Sequence, residues 1–231
     1  MKCKTASMIS WIFKSKQKGM SPIGKDDESC EESSCDYGSY QAMPSAFQHE
    51  GFVGVPIIPP ELAGAPMAKK IAMFSVTNTV AMDQTVASFW KKAMQQIYAF
   101  AINECGLAMR STGDVMESNG ALDGQPALFL LSGALNALGS ATKTIGNGVT
   151  VPEMVWMAGC CSSEHRHRSF GIYTYNRFGQ RPSIVSLDKL QLLLQSMYFD
   201  NVNKVNIDLF PGFNGICLSP ENDVASEIFL K

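Results

Sequence analysis

The stretch that decides the fold is VASFWKKAMQQIYAFA, residues 86–101. Its apolar residues recur at intervals of three and four, and the opposite side carries the polar ones, which are Lys91, Lys92, Gln95 and Gln96. This spacing follows the 3.6-residue turn of an α-helix. It predicts an amphipathic helix with a wide apolar stripe, ending before Gly106.

Strand signals lie on both sides of this helix. Residues 71–80 are rich in β-branched side chains, and residues 169–175 also read as a strand. Near the end, residues 205–209 alternate apolar and polar, and two short apolar runs follow at 216–218 and 225–230. These signals predict strands, with the last three forming a meander.

Two further helices are expected. One opens at Pro126 and runs to residue 138, and the other is capped by Ser186. Residues 110–125 and 141–149 are expected to be loops. The sequence therefore predicts an α+β fold, in which an antiparallel sheet packs with two or three helices, preceded by a disordered N-terminal tail.

Charge is segregated at the amino end. Residues 1–25 hold six lysines and no acid, and residues 26–36 hold six acids and no base. Such blocks bury too little apolar surface to offset the entropy of ordering. We therefore expect a disordered basic-then-acidic tail over residues 1–50, an extended apolar Pro-rich arm over residues 51–68, and a globular domain over residues 69–231.

Composition excludes several classes of protein. The 231 residues carry a net charge of -2, which excludes a globally basic nucleic-acid binder, and 45% are hydrophobic, enough for a sizeable core. No apolar run reaches the roughly 18 residues of a membrane span. The seven cysteines are an odd set without a secretory leader, so free thiols in a reducing compartment are expected.

Enzyme motifs are not found, so the chain is expected to be non-enzymatic, with no catalytic residue, cofactor or metal. It has no Gly-x-Ser-x-Gly elbow, no phosphate-binding loop and no Gly-x-Gly-x-x-Gly after a strand. One cluster leaves alternatives open. Cys160, Cys161, His165 and His167 could serve a cytosolic metal-dependent or thiol enzyme. A phosphate or nucleocapsid patch, or a nucleic-acid-binding accessory protein, would instead use the cluster His165, Arg166, His167 and Arg168. The simplest reading is a solvated basic turn.

The amino end also carries a candidate membrane-binding segment, in which apolar aromatic residues are flanked by lysines. Its members are Lys2, Lys4, Trp11, Ile12, Phe13, Lys14, Lys16 and Lys18. Positive charge and a partly buried apolar anchor together give reversible attachment to an anionic membrane. The alternative is a solubilising tail.

The apolar arm is a candidate for self-association. Its large side chains are Phe52, Val53, Val55, Ile57 and Ile58. They either pack on their own domain or enter a groove of a neighbouring copy, which would generate open head-to-tail arrays.

Several segments together resemble the matrix proteins of rhabdoviruses, of the vesiculovirus type. The lysine-rich opening at residues 8–16 is followed by an acidic stretch, the run SYQAMPSA at residues 39–46, and Gly54-Val55. The end is also similar, with a helix after Ser186 and a final hydrophobic strand closed by Lys231. The clear match covers about a fifth of the chain.

The resemblance implies a peripheral protein under the viral envelope, located in the virion, the host cytoplasm and the inner face of the host membrane. Family members bind anionic membrane, polymerise, condense the viral ribonucleoprotein, and drive budding by recruiting host budding machinery through short proline motifs. The corresponding late-domain-like residues here are Pro44, Ser45, Ala46, Phe47, Pro59 and Pro60. Both motifs depart from the family pattern, since Phe47 replaces a proline and no tyrosine follows Pro59-Pro60.

Overall fold

The structure, a computed structural model, describes residues 8–14, 51–58, 78–105, 127–137, 141–146, 148–162, 167–198, 207–211 and 216–218. Its elements, in chain order, are β1 (Met8–Lys14), β2 (Phe52–Pro56), β3 (Thr79–Asp83), α1 (Gln84–Asn103), β4 (Ala127–Leu135), β5 (Lys143–Ile145), β6 (Val149–Val151), β7 (Met154–Ser162), β8 (His167–Tyr175), β9 (Ser183–Val185), α2 (Leu187–Tyr198) and a 3-10 helix (Ile216–Leu218).

The main sheet has five strands in the order β1-β4-β7-β8-β9, and every neighbouring pair is antiparallel. Its register is continuous: Leu130 pairs with Gly159, and Gly159 pairs with Phe170. Two antiparallel ribbons, β2-β3 and β5-β6, stand beside this sheet. The α+β class is confirmed.

The main sheet lies between two helical layers. On one face, Leu130, Met157 and Ile172 join the apolar stripe of α1 in a single core. On the other face, Trp156 and Ala158 pack with α2. Successive residues of a strand point to opposite faces, so a strand covered on both sides is apolar at nearly every position. This explains the run MVWMAGCCS of β7.

Helix α1 confirms the helix predicted over residues 86–101. It begins after Asp83, whose carboxylate accepts the backbone N–H groups of Thr85 and Val86 and so satisfies two donors of the first turn. It ends at Asn103. Helix α2 confirms the helix predicted after Ser186, whose hydroxyl accepts the N–H of Lys189 at 3.3 Å. Neither described helix is both long and apolar enough to cross a membrane.

The helix predicted over residues 126–138 is wrong, because this segment forms β4. Leu128 and Leu130 face the α1 layer, whereas Phe129 and Leu131 pack with the α2 layer. When nearly every residue of a segment is apolar, the sequence shows neither the two-residue alternation of a strand nor the 3.6-residue spacing of a helix. The two structures then cannot be told apart from the pattern alone.

The loop predicted over residues 141–149 contains half of a ribbon. Strands β5 and β6 are joined by a turn in which Gly146 and Gly148 have φ values of 49° and 92°. Glycine has no Cβ and adopts positive φ values easily, so the two glycines allow the chain to reverse direction between β5 and β6.

The predicted C-terminal meander is only partly described. Residues 207–211 contain no strand, and residues 216–218 form a 3-10 helix where a strand was predicted. Residues 225–230 and the loop at 110–125 lie outside the described residues, as do the first seven residues of the strand predicted over 71–80, where β3 begins at Thr79.

The predicted division into tail, arm and globular domain is changed at two places. Residues 8–14, expected in a disordered tail, form an outer strand of the main sheet. Residues 51–58, expected in an extended arm, form β2 and two core residues and therefore belong to the folded domain. The remaining residues of the tail and of the arm lie outside the described part of the chain.

Candidate functional site

The described members of the membrane-binding set lie in β1. Trp11, Ile12 and Phe13 pair in register with Leu130, Phe129 and Leu128, and Lys14 pairs with Ala127. Among the described strands, β1 pairs only with β4, so its outer edge stays open. The segment that the sequence assigns to the membrane is therefore an outer strand that also closes the edge of β4. Lys2, Lys4, Lys16 and Lys18 lie outside the described residues.

Two residues of the self-association set are core residues of their own chain. The exposed fractions of Ile57 and Ile58 are 1% and 0%. Asn78 holds this segment, because its Oδ1 accepts the N–H of Ile58 at 2.9 Å and its Nδ2 donates to the Ile58 carbonyl at 2.8 Å. The indole N–H of Trp90 donates to the Ile57 carbonyl at 3.2 Å. These two side chains therefore offer no surface to a neighbouring copy, which corrects the prediction for them.

The other three arm residues, Phe52, Val53 and Val55, are half-buried. The Phe52 ring packs against the β5-β6 ribbon, and the Lys143 ammonium lies 4.3 Å from its centroid. Each of the three keeps part of its surface open.

Cys160 and Cys161 do not form a common site, because neighbours in a strand point to opposite faces. Cys161 is bonded to Cys105, beside the end of α1, and Cys160 is bonded to Cys217 in the 3-10 helix. The Cα–Cα distances are 5.4 Å and 5.8 Å, within the range of disulfides. The expectation of free thiols is wrong for these four residues. The thiol or metal enzyme reading loses its nucleophile and its sulfur ligands.

The two described members of the phosphate patch are also separated. His167 and Arg168 are consecutive in β8, pairing with Ser162 and Cys161, so they lie on opposite faces. Both are half-buried. This pair does not form one basic surface, which weakens the nucleocapsid and nucleic-acid readings. His165, Arg166 and the late-domain-like residues Pro44, Ser45, Ala46, Phe47, Pro59 and Pro60 lie outside the described residues.

In the part of the chain that the structure describes, no three His, Cys, Asp or Glu side chains come together at a spacing that would hold a metal ion. One buried polar side chain, that of Asn176, instead joins several elements. Asn176 donates from Nδ2 to the carbonyls of Ala81 and Pro152 and accepts the N–H of Asp83 at Oδ1. It thereby ties β3 and the start of α1 to the central strands, a role that no pattern in the sequence indicated.

Sequence reasoning also missed an exposed turn between β8 and β9. Its residues are Arg177, Phe178, Gly179, Gln180 and Arg181, which we call the arginine tip. All five are exposed, and Phe178 is 81% exposed. The usable signal was an aromatic residue between two arginines beside a glycine.

Comparisons with known proteins add no family. No protein-family model matches the chain, and no curated protein matches it. The resemblance to rhabdovirus matrix proteins therefore depends on residues 8–16, 39–46 and 54–55 and on the carboxyl end.

Proposed function

We propose that the chain is a non-enzymatic viral matrix protein. It binds the inner face of an anionic membrane, associates with further copies of itself, condenses the viral ribonucleoprotein and drives assembly and budding. The observation that carries the proposal is the amino end, where six lysines and no acid occur in 25 residues around Trp11, Ile12 and Phe13.

The physical argument concerns reversible attachment. A basic residue beside an anionic leaflet contributes about 1 kcal/mol. Full burial of a large apolar side chain contributes about 1.5–3 kcal/mol, and only part of that is gained at an interface. Several lysines and a short apolar segment therefore suffice for a peripheral protein.

The folded part supports a structural role more than a catalytic one. Both faces of the main sheet are filled by packed side chains, and the buried side chain of Asn176 connects elements. Phe52, Val53 and Val55 remain available, in part, for contact with a second copy. Condensation of the nucleocapsid and recruitment of host budding machinery are proposed from the resemblance to rhabdovirus matrix proteins.

The test is flotation with vesicles that contain phosphatidylserine. Deleting residues 1–20 would also remove β1, so charge substitutions are the cleaner change. We expect the variant with glutamine at Lys2, Lys4, Lys16 and Lys18 to lose about 700-fold in affinity, since four contributions of ~1 kcal/mol are removed.

The matched control replaces four exposed lysines of the folded part, Lys91, Lys92, Lys143 and Lys189, by glutamine. Both variants lose four positive charges, so each moves from -2 to -6. Retained flotation of the control alone supports the proposal. Equal affinity of the two variants, or no flotation of the unmodified protein, contradicts it.

A further inference from the structure

The arginine tip combines an exposed aromatic ring with two cations. Phe178 is 81% exposed and stands between Arg177 and Arg181, which are also exposed. No acidic residue occurs from His165 to Leu187. Asp83 lies near the base of the turn, because the Thr85 hydroxyl accepts the N–H of Gly179. The Asp83 carboxylate accepts the N–H groups of Thr85 and Val86 at the start of α1. The tip is therefore a cationic surface with an apolar centre.

The tip is held in a fixed shape by backbone contacts. Gly179 has a φ of 75°, and its N–H donates to the Thr85 hydroxyl at 2.9 Å. The N–H of Gln180 donates to the Arg177 carbonyl at 3.0 Å, and that of Arg177 donates to the Tyr175 carbonyl at 2.9 Å. The turn therefore loses its conformational entropy when the protein folds, and ligand binding does not require that loss a second time.

The two guanidinium groups rest on aromatic rings. Arg177 lies 5.9 Å from the Tyr175 centroid, and Arg181 lies 5.0 Å from the Phe89 centroid. Such stacking orients the planar fork and leaves its N–H groups free for other acceptors. Guanidinium groups bind phosphate oxygens in pairs of hydrogen bonds, and an aromatic ring between them suits the boundary between headgroups and acyl chains.

We propose that the arginine tip is a second membrane contact, located on the folded domain, in which Phe178 enters an anionic bilayer while Arg177 and Arg181 bind lipid phosphates. The inference deepens the proposed function and rests on it. It gives the protein two attachments, one in the amino segment and one in the folded domain.

A local fluorescence reporter tests the tip separately from the tail. Trp90 and Trp156 are buried and Phe178 is exposed, so the full chain with Trp11→Phe and Phe178→Trp reports chiefly on the tip. We expect a blue shift of its emission with phosphatidylserine vesicles, quenching by brominated acyl chains, and neither change with phosphatidylcholine vesicles alone. If the emission does not shift while the protein still floats with the vesicles, the proposed membrane contact of the arginine tip is overturned and the proposed function is left intact.

Flotation gives the second measurement. Phe178→Ser is expected to weaken binding to phosphatidylserine vesicles about tenfold, and Arg177→Gln with Arg181→Gln by roughly fivefold for each arginine. The matched control is Lys189→Gln with Leu192→Ser on α2, since Leu192 is also exposed, at 64%. An equal loss in the control overturns the assignment.

The remaining outcomes are also decisive. A blue shift that persists when Lys2, Lys4, Lys16 and Lys18 are glutamine supports the tip even if flotation of that variant fails. A shift produced by an RNA oligonucleotide and not by vesicles overturns the proposal in favour of nucleic acid. If the unmodified protein does not float and the reporter does not shift, both proposals fall.

Discussion

Gly159 shows how a single absent side chain shapes the core. It lies at the centre of β7, opposite Phe170 of β8, and a Cβ at this position would overlap the Phe170 ring. The ring is fully buried and also meets Phe100 of α1 edge-to-face at 5.6 Å between centroids. We expect Gly159→Ala to lower the free energy of unfolding by about 1–3 kcal/mol, because a filled core has no space for the extra carbon. Urea denaturation measures the change.

The control for this substitution is a double-mutant cycle with Phe170→Leu, which removes the ring that the new Cβ would meet. The cost of Gly159→Ala should be smaller when residue 170 is leucine. Strictly additive costs would show that the ring is not the obstacle.

A similar close approach positions α2. A Cβ at Gly171 would lie 2.8 Å from the Cβ of Leu190, so the helix crosses the sheet where β8 lacks a side chain. Asn176 acts at the same scale by hydrogen bonding, since one side chain joins the backbone at Asp83, Ala81 and Pro152. These contacts connect residues far apart in the chain, and no local pattern announces them.

Among the helices and strands, those whose formation depends on nearby residues were predicted correctly from the sequence. Helix α1 was predicted from its apolar stripe and α2 from its capping residue Ser186, and the strand predicted over residues 169–175 lies within β8. Strand β4 was misread because burial on both faces removes the alternation that identifies a strand. Strand β1 was missed because its flanking charges suggested disorder, while its partner β4 lies more than a hundred residues later.

The candidate site was less predictable than the fold. Cys160 and Cys161 form disulfides on opposite sides of the sheet because their side chains point to opposite faces of β7. The burial of Ile57 and Ile58 depends on hydrogen bonds to Asn78 and Trp90. The sequence supplied residue types, whereas the tertiary partners decided which of them share a surface.

Strand β1 leads to a prediction about association. Removing residues 1–14 would expose the edge of β4, whose nine residues are apolar apart from Ser132 and Gly133. The outer edge of β1 is also open, but that strand has seven residues and ends at the charged Lys14, whereas β4 would offer nine residues without a charge. A longer, uncharged edge pairs more readily with another chain. We expect this variant to sediment as larger species than the protein lacking only residues 1–7, at equal concentration and without lipid.

The shorter deletion is a matched control because both variants lose Lys2 and Lys4 and only one loses β1. Sedimentation velocity at high salt suppresses differences that arise from charge. Identical profiles for the two variants would show that β1 does not protect the edge.

The whole molecule is tied together through β7. Cys161 connects this central strand to Cys105 beside α1, and Cys160 connects it to Cys217 on the opposite side of the sheet. The adjacent pair thus fastens both outer layers to the middle one.

This arrangement predicts which cysteine pairs stabilise the oxidised protein. Cys105→Ala with Cys161→Ala removes one bridge and leaves Cys160–Cys217 intact, whereas Cys105→Ala with Cys160→Ala takes one partner from each bridge. Each bridge spans more than fifty residues and is worth about 2–4 kcal/mol. The second variant should therefore unfold at lower urea concentration by the equivalent of one bridge, and a reducing agent should abolish the difference. The reverse order of stability would mean that the faces of β7 are exchanged. Equal stability of the two variants, with all seven thiols of the unmodified protein reactive after denaturation, would mean that the bridges do not form.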